Sequence, residues 1–190
     1  MNYPTKKTSK NVKNSISSHS KLGMSLENDI NITNKTYLNE DKAIIYKKPT
    51  PIKIVKVDYA KRSAAKITEA YYNLPSTTDY NGIYKGKYID FEAKECHSKT
   101  SFPFSSIHKH QINHLERCLN HGAIAFIILR MASYDETYLI KAKDFLDFYK
   151  GKSRKSLSYD WIKEKGYLIE YNYLKPCNYL QVVDKVFSFR

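Results

Sequence analysis

The chain has 190 residues, 42% of them hydrophobic, which is enough for one domain with a sizeable core. It has no run of about 18 apolar residues and no apolar segment after its first lysines, so we predict no membrane span and no signal peptide. The formal net charge of +13 favours a nucleic-acid partner over an anionic membrane, although a generally basic protein would have the same composition. The three cysteines are widely spaced and predict neither a disulfide framework nor a zinc site. A cytoplasmic location is predicted because this cysteine usage fits a reducing compartment.

Residues 1–21 are predicted to form a disordered basic arm, because lysines stand among serines and asparagines there without any acidic residue. Such an arm either adds salt-sensitive contacts to DNA or has no role of its own. Residues 22–190 are predicted to form a single domain, because neither an internal repeat nor a linker divides them.

The first predicted helix runs from a cap at Ser25 to about Asn39, and a strand follows over residues 43–48. The prolines at 49 and 51 then interrupt the chain. An extended arm is predicted over residues 52–59 and an alanine-rich helix over 62–72. Residues from about 50 to 76 therefore form a basic insertion between core elements, for which a solvated charged face is the alternative interpretation.

The run from Thr77 to Glu95 is predicted to form a hairpin, because two β-rich segments flank Lys85-Gly86. With the turn at this pair, Asp79 lies opposite Glu92, and alternation places three carboxylates, a lysine and two small polar groups on one face. These residues are Thr77, Asp79, Asn81, Asp90, Glu92 and Lys94. The other face, which is predicted to pack on the core, carries Thr78, Tyr80, Gly82, Tyr84, Lys87, Ile89, Phe91 and Ala93.

The opposed carboxylates of Asp79 and Glu92 repel each other unless a cation lies between them. Mg²⁺ suits the position, because it takes oxygen ligands and needs only one or two carboxylates plus a substrate phosphate. Lys94 points the same way, where it would hold a water in its reactive form or stabilise charge on a phosphate. The alternative is a solvated hairpin face on which Lys94 pairs with one of the acids.

After the hairpin, Ser105 or Ser106 is predicted to cap a helix from about Ile107 to Asn120. We reject a zinc site at its three histidines, 108, 110 and 114, because no matching ligand pair occurs elsewhere. The apolar run 123–131 predicts a strand buried on both faces. Further on we predict a strand at 136–140, short helices at 143–149 and 160–165 around a basic loop, and an edge strand at 179–186. This order predicts an α/β fold with a mixed central sheet flanked by helices.

Asp79 followed by Glu92-Ala93-Lys94 resembles the D…(D/E)xK motif of the restriction-endonuclease-like nuclease superfamily. The surrounding sequence is more specific and resembles the RecU family of bacterial Holliday-junction resolvases from about residue 22 to the C-terminus. The stretches that carry the resemblance are 23–31, 48–52, 54–59, 77–95 and 100–103, with Gln111 downstream. Two departures leave the local geometry open, because Cys96 stands where the family has a threonine and Ala60 where it has a proline.

The resemblance implies a restriction-endonuclease-like core with residues of about 50–76 as a stalk, which projects from the body of a dimer into the junction. We expect the stalk to bind DNA through basic residues, chiefly Lys56, Lys61, Arg62 and Lys66. By resemblance, Asp79 and Glu92 bind Mg²⁺, Thr77 and Gln111 are further ligands or positioners, and Lys94 stabilises the transition state. Glu27 either approaches the metal or is an ordinary acid in the first turn of a helix.

These expectations describe a Mg²⁺-dependent endonuclease that resolves four-way junctions by paired symmetric nicks in recombination and repair. Paired nicks on a two-fold substrate imply a homodimer, and the family implies a contact with the recombinase RecA. One alternative is a non-cleaving protein that binds junction or duplex DNA on an inactivated nuclease fold. The other is an RNA-binding protein of the translation apparatus. The intact Asp79, Glu92 and Lys94 argue against the first alternative, and the clustered carboxylates argue against the second.

Overall fold

The structure, a computed structural model, describes residues 25–59, 61–73, 77–151 and 154–189, so the predicted arm 1–21 and Ala60 lie outside it. Its helices are α1 (Leu26–Asn39), α2 (Lys109–Asn120), α3 (Ala142–Lys150), α4 (Tyr159–Lys165) and α5 (Tyr179–Val186). Its strands are β1 (Ile44–Lys47), β2 (Ile52–Asp58), β3 (Lys66–Tyr72), β4 (Tyr80–Tyr84), β5 (Lys87–Cys96), β6 (Ser101–Pro103), β7 (Ile124–Met131), β8 (Glu136–Lys141), β9 (Ser156–Ser158) and β10 (Tyr167–Leu168). None of the described helices is long and apolar enough to cross a membrane.

A six-stranded mixed sheet in the order β1-β4-β5-β7-β8-β10 forms the centre of the fold. Strands β5 and β7 pair in parallel, and the other neighbours are antiparallel. The apolar strand β7 lies inside the sheet, and all its residues but Arg130 are buried. The predicted α/β class, with a mixed sheet flanked by helices, is confirmed.

The sheet has a hydrophobic core on each face, because the side chains of β7 alternate between them. Phe126 and Ile128 join a core that includes α1 and α5, whereas Ile127 and Leu129 join one that includes α2, α3 and α4. Phe91 of β5 stacks between Tyr80 and Phe126, with ring centroids 4.9 and 4.8 Å away. These aromatic contacts fix β4 and β5 against the first core.

The hairpin of β4 and β5 has the predicted register, with Asn81 opposite Asp90. Its turn uses left-handed conformations at Lys85 (φ 49°) and Gly86 (φ 73°), as two-residue hairpin turns favour. Of the predicted core face, Tyr80, Tyr84, Ile89 and Phe91 are buried in the first core and Ala93 packs against it, whereas Gly82, Lys87 and Thr78 do not join it. The side chain of Thr78 bonds to Asp90 instead, because this residue precedes the first paired position and is not bound by strand alternation.

The helix predicted over 62–72 is wrong. Only a single 3₁₀ turn, Arg62–Ala64, is helical, and β3 follows it and pairs with β2. The alanines favoured a helix in the sequence, but the β-branched and aromatic residues of 66–72 prevail once a partner strand is present.

The edge strand predicted over 179–186 is also wrong, because these residues form α5. Its buried residues are Tyr179, Leu180, Val182 and Val183, whose spacing is helical, although tyrosine and valine favour strands. The start of α2 differs slightly from the prediction, since His108 rather than a serine caps it.

Strands β2 and β3 form a separate two-stranded sheet, which corresponds to the predicted stalk. Every residue of these two strands is exposed apart from the half-buried Val57. The stalk connects β1 to β4, which are antiparallel neighbours in the central sheet. It is therefore an enlarged connection between adjacent strands, and its two ends enter the core beside each other.

Candidate active site

Glu92 lies at the centre of the predicted site and is fully buried in β5. Its Oε1 atom is 2.6 Å from Lys94 Nζ and accepts a hydrogen bond of 2.7 Å from Gln111 Nε2. Its other oxygen, Oε2, is buried and meets no hydrogen-bond donor among the residues that the structure describes. Such an oxygen carries a desolvation cost that a cation or a proton would remove.

The Asp79 carboxyl group lies against Glu92, although Asp79 itself precedes the first paired residue of β4. Burial, together with the contact and charge of the Asp79 carboxyl group, raises the pKa of Glu92 to about 8, and Lys94 opposes this shift. Two carboxyl groups in contact, one of them buried with an unused oxygen, make an oxygen-donor set of the kind that Mg²⁺ takes. The residues present therefore fit a divalent cation.

Gln111 reaches Glu92 from α2, where it occupies the third position of the helix. Its Oε1 atom accepts a 2.9 Å hydrogen bond from the backbone nitrogen of His108, so its amide nitrogen is directed to Glu92. In this arrangement the amide nitrogen of Gln111 holds the Glu92 carboxylate, and the amide oxygen of Gln111 is directed to His108. The strand and the helix place these groups together although they are 19 residues apart in the chain.

Thr77 and Glu27 lie at the edge of the same region. Thr77 is half-buried, directly precedes the segment that carries Asp79, and donates a hydrogen bond of 3.3 Å to the Thr78 carbonyl. Glu27 is exposed and forms an ion pair of 2.5 Å with Lys47. Together with Asp79 and Glu95 it lines a cavity of about 170 Å³ at the start of α1.

Asp90 is a buried residue to which the sequence reasoning gave no role, although it placed Asp90 on the carboxylate face. Its oxygens contact Lys48 Nζ (2.7 Å), Tyr88 OH (2.9 Å) and His114 Nε2 (3.1 Å), and Thr78 Oγ1 donates to it. Lys48 is 42 residues away in the chain and His114 is 24, so no local pattern predicts these contacts.

Asp90, His114 and Cys118 bring donor atoms within 4.8 Å of one another, which invites comparison with a metal site. The Lys48 ammonium already lies against the Asp90 carboxylate, where it supplies the positive charge. Burial and the charge of Asp90 raise the pKa of the Cys118 thiol to about 11, so the sulfur remains protonated near neutral pH. The other two histidines, His108 and His110, stack on each other with ring centroids 5.5 Å apart.

The predicted DNA-binding residues Lys56, Lys61 and Lys66 are exposed on the stalk, and Arg62 begins its 3₁₀ turn. They belong to the strands β2 and β3 and the connection between them, a sheet separate from the one that carries Glu92. Cys96, the departure from the family pattern, is buried at the end of β5, with its Sγ 3.6 Å from the Ser101 carbonyl. The change therefore lies within the packed interior.

Known proteins and one protein family resemble this chain over most of its length. The family model described as "Recombination protein U" matches residues 21–185. The Holliday junction resolvase RecU of Oceanobacillus iheyensis is 52% identical to the chain over 98% of this chain and 100% of that protein. The proteins of the same name from Streptococcus gordonii and a Geobacillus species are 50% and 46% identical, each over 97% of this chain. These matches cover nearly the whole length of this chain and of each relative. The chain therefore belongs to the RecU family.

Proposed function

We propose that this protein is a Mg²⁺-dependent endonuclease that resolves Holliday junctions by paired symmetric nicks during recombination and repair. The observation that carries the chemistry is the buried Glu92, whose Oε2 meets no donor among the described residues while the Asp79 carboxyl lies against it. The substrate follows from the family, since the relatives reported above are named Holliday junction resolvases.

In the proposed site, Asp79 and Glu92 hold the cation, and Thr77 and Gln111 are its further ligands or their positioners. A bound Mg²⁺ supplies charge neutralisation of the scissile phosphate and an acidified water for the attack. Glu92 must lose its proton to bind a cation, because its pKa is raised to about 8. Binding therefore releases a proton, and the cation in turn favours the ionised carboxylate.

Lys94 is proposed to stabilise negative charge as the phosphodiester is cleaved. Its ammonium is only partly buried and bonds to Glu92 Oε1, so it is held at the edge of the site and remains open to a phosphate. Gln111 keeps Glu92 in place through its amide nitrogen. The chain thus supplies a fixed carboxylate pair beside one fixed positive charge, as phosphoryl transfer by positioning and electrostatics requires.

A homodimer is part of the proposal, because a four-way junction has two-fold symmetry and needs two active sites. The exposed apolar residues of the stalk favour such a dimer. A two-stranded sheet alone is marginally stable in water, and this one exposes Ile52, Ile54, Val55, Ile67 and Tyr71. A second copy would cover part of this apolar surface. The family resemblance also implies a contact with RecA, which we include only on that basis.

The test is cleavage of a synthetic four-way junction with and without Mg²⁺, using Asp79→Asn and Glu92→Gln. Each change removes one cation-binding charge, so we expect cleavage to be abolished while junction binding in EDTA is retained. Asp147→Asn is the matched control, because this acid is exposed on α3 and pairs with Lys143. Binding without cleavage by the wild type, in any divalent cation, would instead establish the non-cleaving alternative.

A further inference from the structure

The buried network around Asp90 lies next to the proposed cation site, but the proposed function gives its residues no role. Asp90 is two residues before Glu92 on β5 and fully buried. Four side chains contact its carboxylate, from Lys48, Thr78, Tyr88 and His114. A buried carboxylate with four partners is held in one orientation, and it holds its partners in return.

The partners of Asp90 come from the same segments as the proposed ligands. Thr78 lies between Thr77 and Asp79 in the chain, and His114 lies one helical turn after Gln111 on α2. Asp90 itself shares β5 with Glu92. One carboxylate thus contacts all three parts of the chain that must converge on the cation.

The segment that carries Asp79 needs such a contact, because it precedes the first paired residue of β4 and the strand ladder does not fix it. Lys48 donates two hydrogen bonds to this segment. Lys48 Nζ donates to Thr78 Oγ1 at 2.9 Å, and the Lys48 backbone nitrogen donates to the Asp79 carbonyl at 2.7 Å. Asp90 holds Lys48 through the ion pair of 2.7 Å, so it secures the segment both directly and through Lys48.

We infer that Asp90 is a positioning residue of the active site, which sets the Asp79 carboxylate against Glu92 through the hydroxyl of Thr78. This inference rests on the proposed function, because it assigns Asp79 and Glu92 to the cation. Groups behind the ligands commonly change metal affinity by about 10–100-fold when they are removed. The network would thus act on cation binding and leave the DNA-binding surface unchanged.

The experiment uses Thr78→Val, which removes the hydroxyl and keeps the shape of the side chain. We expect Mn²⁺ affinity, measured by calorimetry on the full chain without DNA, to fall by about 10–100-fold. Junction affinity in EDTA should remain that of the wild type, and Thr78→Ser, which keeps the hydroxyl, should restore Mn²⁺ binding. Tyr88→Phe is the matched control, because it removes the bonds of the Tyr88 hydroxyl to Asp90 and to Asn81, neither of which involves residues 77–79.

Wild-type Mn²⁺ affinity in Thr78→Val, or equal losses in Thr78→Val and Tyr88→Phe, would overturn the inference while leaving the proposed function intact. If the wild type itself binds no Mn²⁺, the cation site is wrong and the inference falls with it. Thermal unfolding shows whether valine is accommodated. Should Thr78→Val not fold, Thr78→Ala removes the same hydroxyl without adding a methyl group against Asp90, and the same expectations apply to it.

Discussion

Lys94 Nζ lies 2.6 Å from Glu92 Oε1, and the two residues stand on the same face of β5 with a single residue between them. The ammonium therefore reaches the side of the carboxylate that faces away from the unused Oε2. This arrangement separates the two functions that the site needs. One oxygen of Glu92 is committed to Lys94 and Gln111, and the other remains for a cation.

Replacing Lys94 with methionine should reduce the chemical step and spare binding. We expect single-turnover cleavage of a four-way junction to fall by about 10²–10³, the usual effect of removing one group that stabilises transition-state charge. Lys143→Met is the control, because it removes one positive charge from an exposed ion pair on α3. Equal cleavage by the two variants at saturating Mg²⁺ would show that Lys94 only neutralises Glu92.

The stability of the cation-free protein should depend on Glu92 in a defined direction. Its folded-state pKa of about 8 exceeds the ordinary value of 4.5, so the folded state binds the extra proton between these values. Glu92 therefore contributes less stability as the pH rises from about 4.5 to about 8. Glu92→Gln cannot ionise, so its melting temperature should exceed that of the wild type by an amount that widens over this range and then stays constant.

Melting curves of both proteins in EDTA, at several pH values from 5 to 9, measure this difference. A gap of several degrees at pH 9 is expected, since about 1 kcal/mol shifts the melting temperature of a chain of this size by about 2–4 °C. Added Mg²⁺ should raise the melting temperature of the wild type above pH 8 and leave Glu92→Gln nearly unchanged. A gap that did not vary with pH would contradict the raised pKa.

The protein should be a homodimer in solution. Light scattering at assay concentrations should give twice the 22.2 kDa mass of the chain, because the exposed apolar side chains of the stalk need a partner and the junction needs two sites. A dilution series locates the dissociation constant. Full cleavage activity in a sample that scatters as a monomer would remove the requirement for two copies.

The basic residues of the stalk should confer preference for a junction over linear duplex. A projecting basic element can enter only a substrate that is open at its centre, whereas phosphate contacts elsewhere raise affinity for all DNA alike. Changing Lys56, Lys61, Arg62 and Lys66 together to alanine should therefore weaken junction binding more than duplex binding. Each lost phosphate contact should also lower the salt slope by about 1.

The control for the stalk changes four exposed lysines of the body to alanine: Lys143, Lys163, Lys165 and Lys185. This variant loses the same charge, so it should weaken binding to both DNAs by similar factors. If the stalk variant behaved in the same way, the stalk would be a general electrostatic contact, and junction preference would have to come from the cleft of the dimer.

The hairpin could be predicted from the sequence because its information is local. The Lys85-Gly86 turn and the two-residue period predict the register of β4 against β5, and the paired residues agree with it. Asp79 lies one residue before this ladder, where Lys48 bonds to its carbonyl and to Thr78. The network around Asp90 could not be predicted, because Lys48 and His114 reach it only after the sheet and α2 have formed.

Long-range packing also explains the two wrong elements. In β3 the partner strand decides the conformation, and in α5 the spacing of the buried residues outweighs the strand preference of tyrosine and valine. The resemblance to a known family supplied what spacing alone left open, namely the choice between a cation site and a solvated hairpin face. All its assignments of site residues, at Asp79, Glu92, Lys94, Thr77, Gln111 and Glu27 as well as on the stalk, remain predictions.

The position of the stalk between antiparallel neighbours has a consequence for the insertions that the fold can accommodate. Its ends meet at one point of the sheet edge, where the Lys48 backbone nitrogen bonds to the Asp79 carbonyl. The entropy of closing a connection changes slowly with its length, by only about 0.6 kcal/mol for each doubling. Insertions of different size and charge can therefore be accommodated at this point without altering the central sheet.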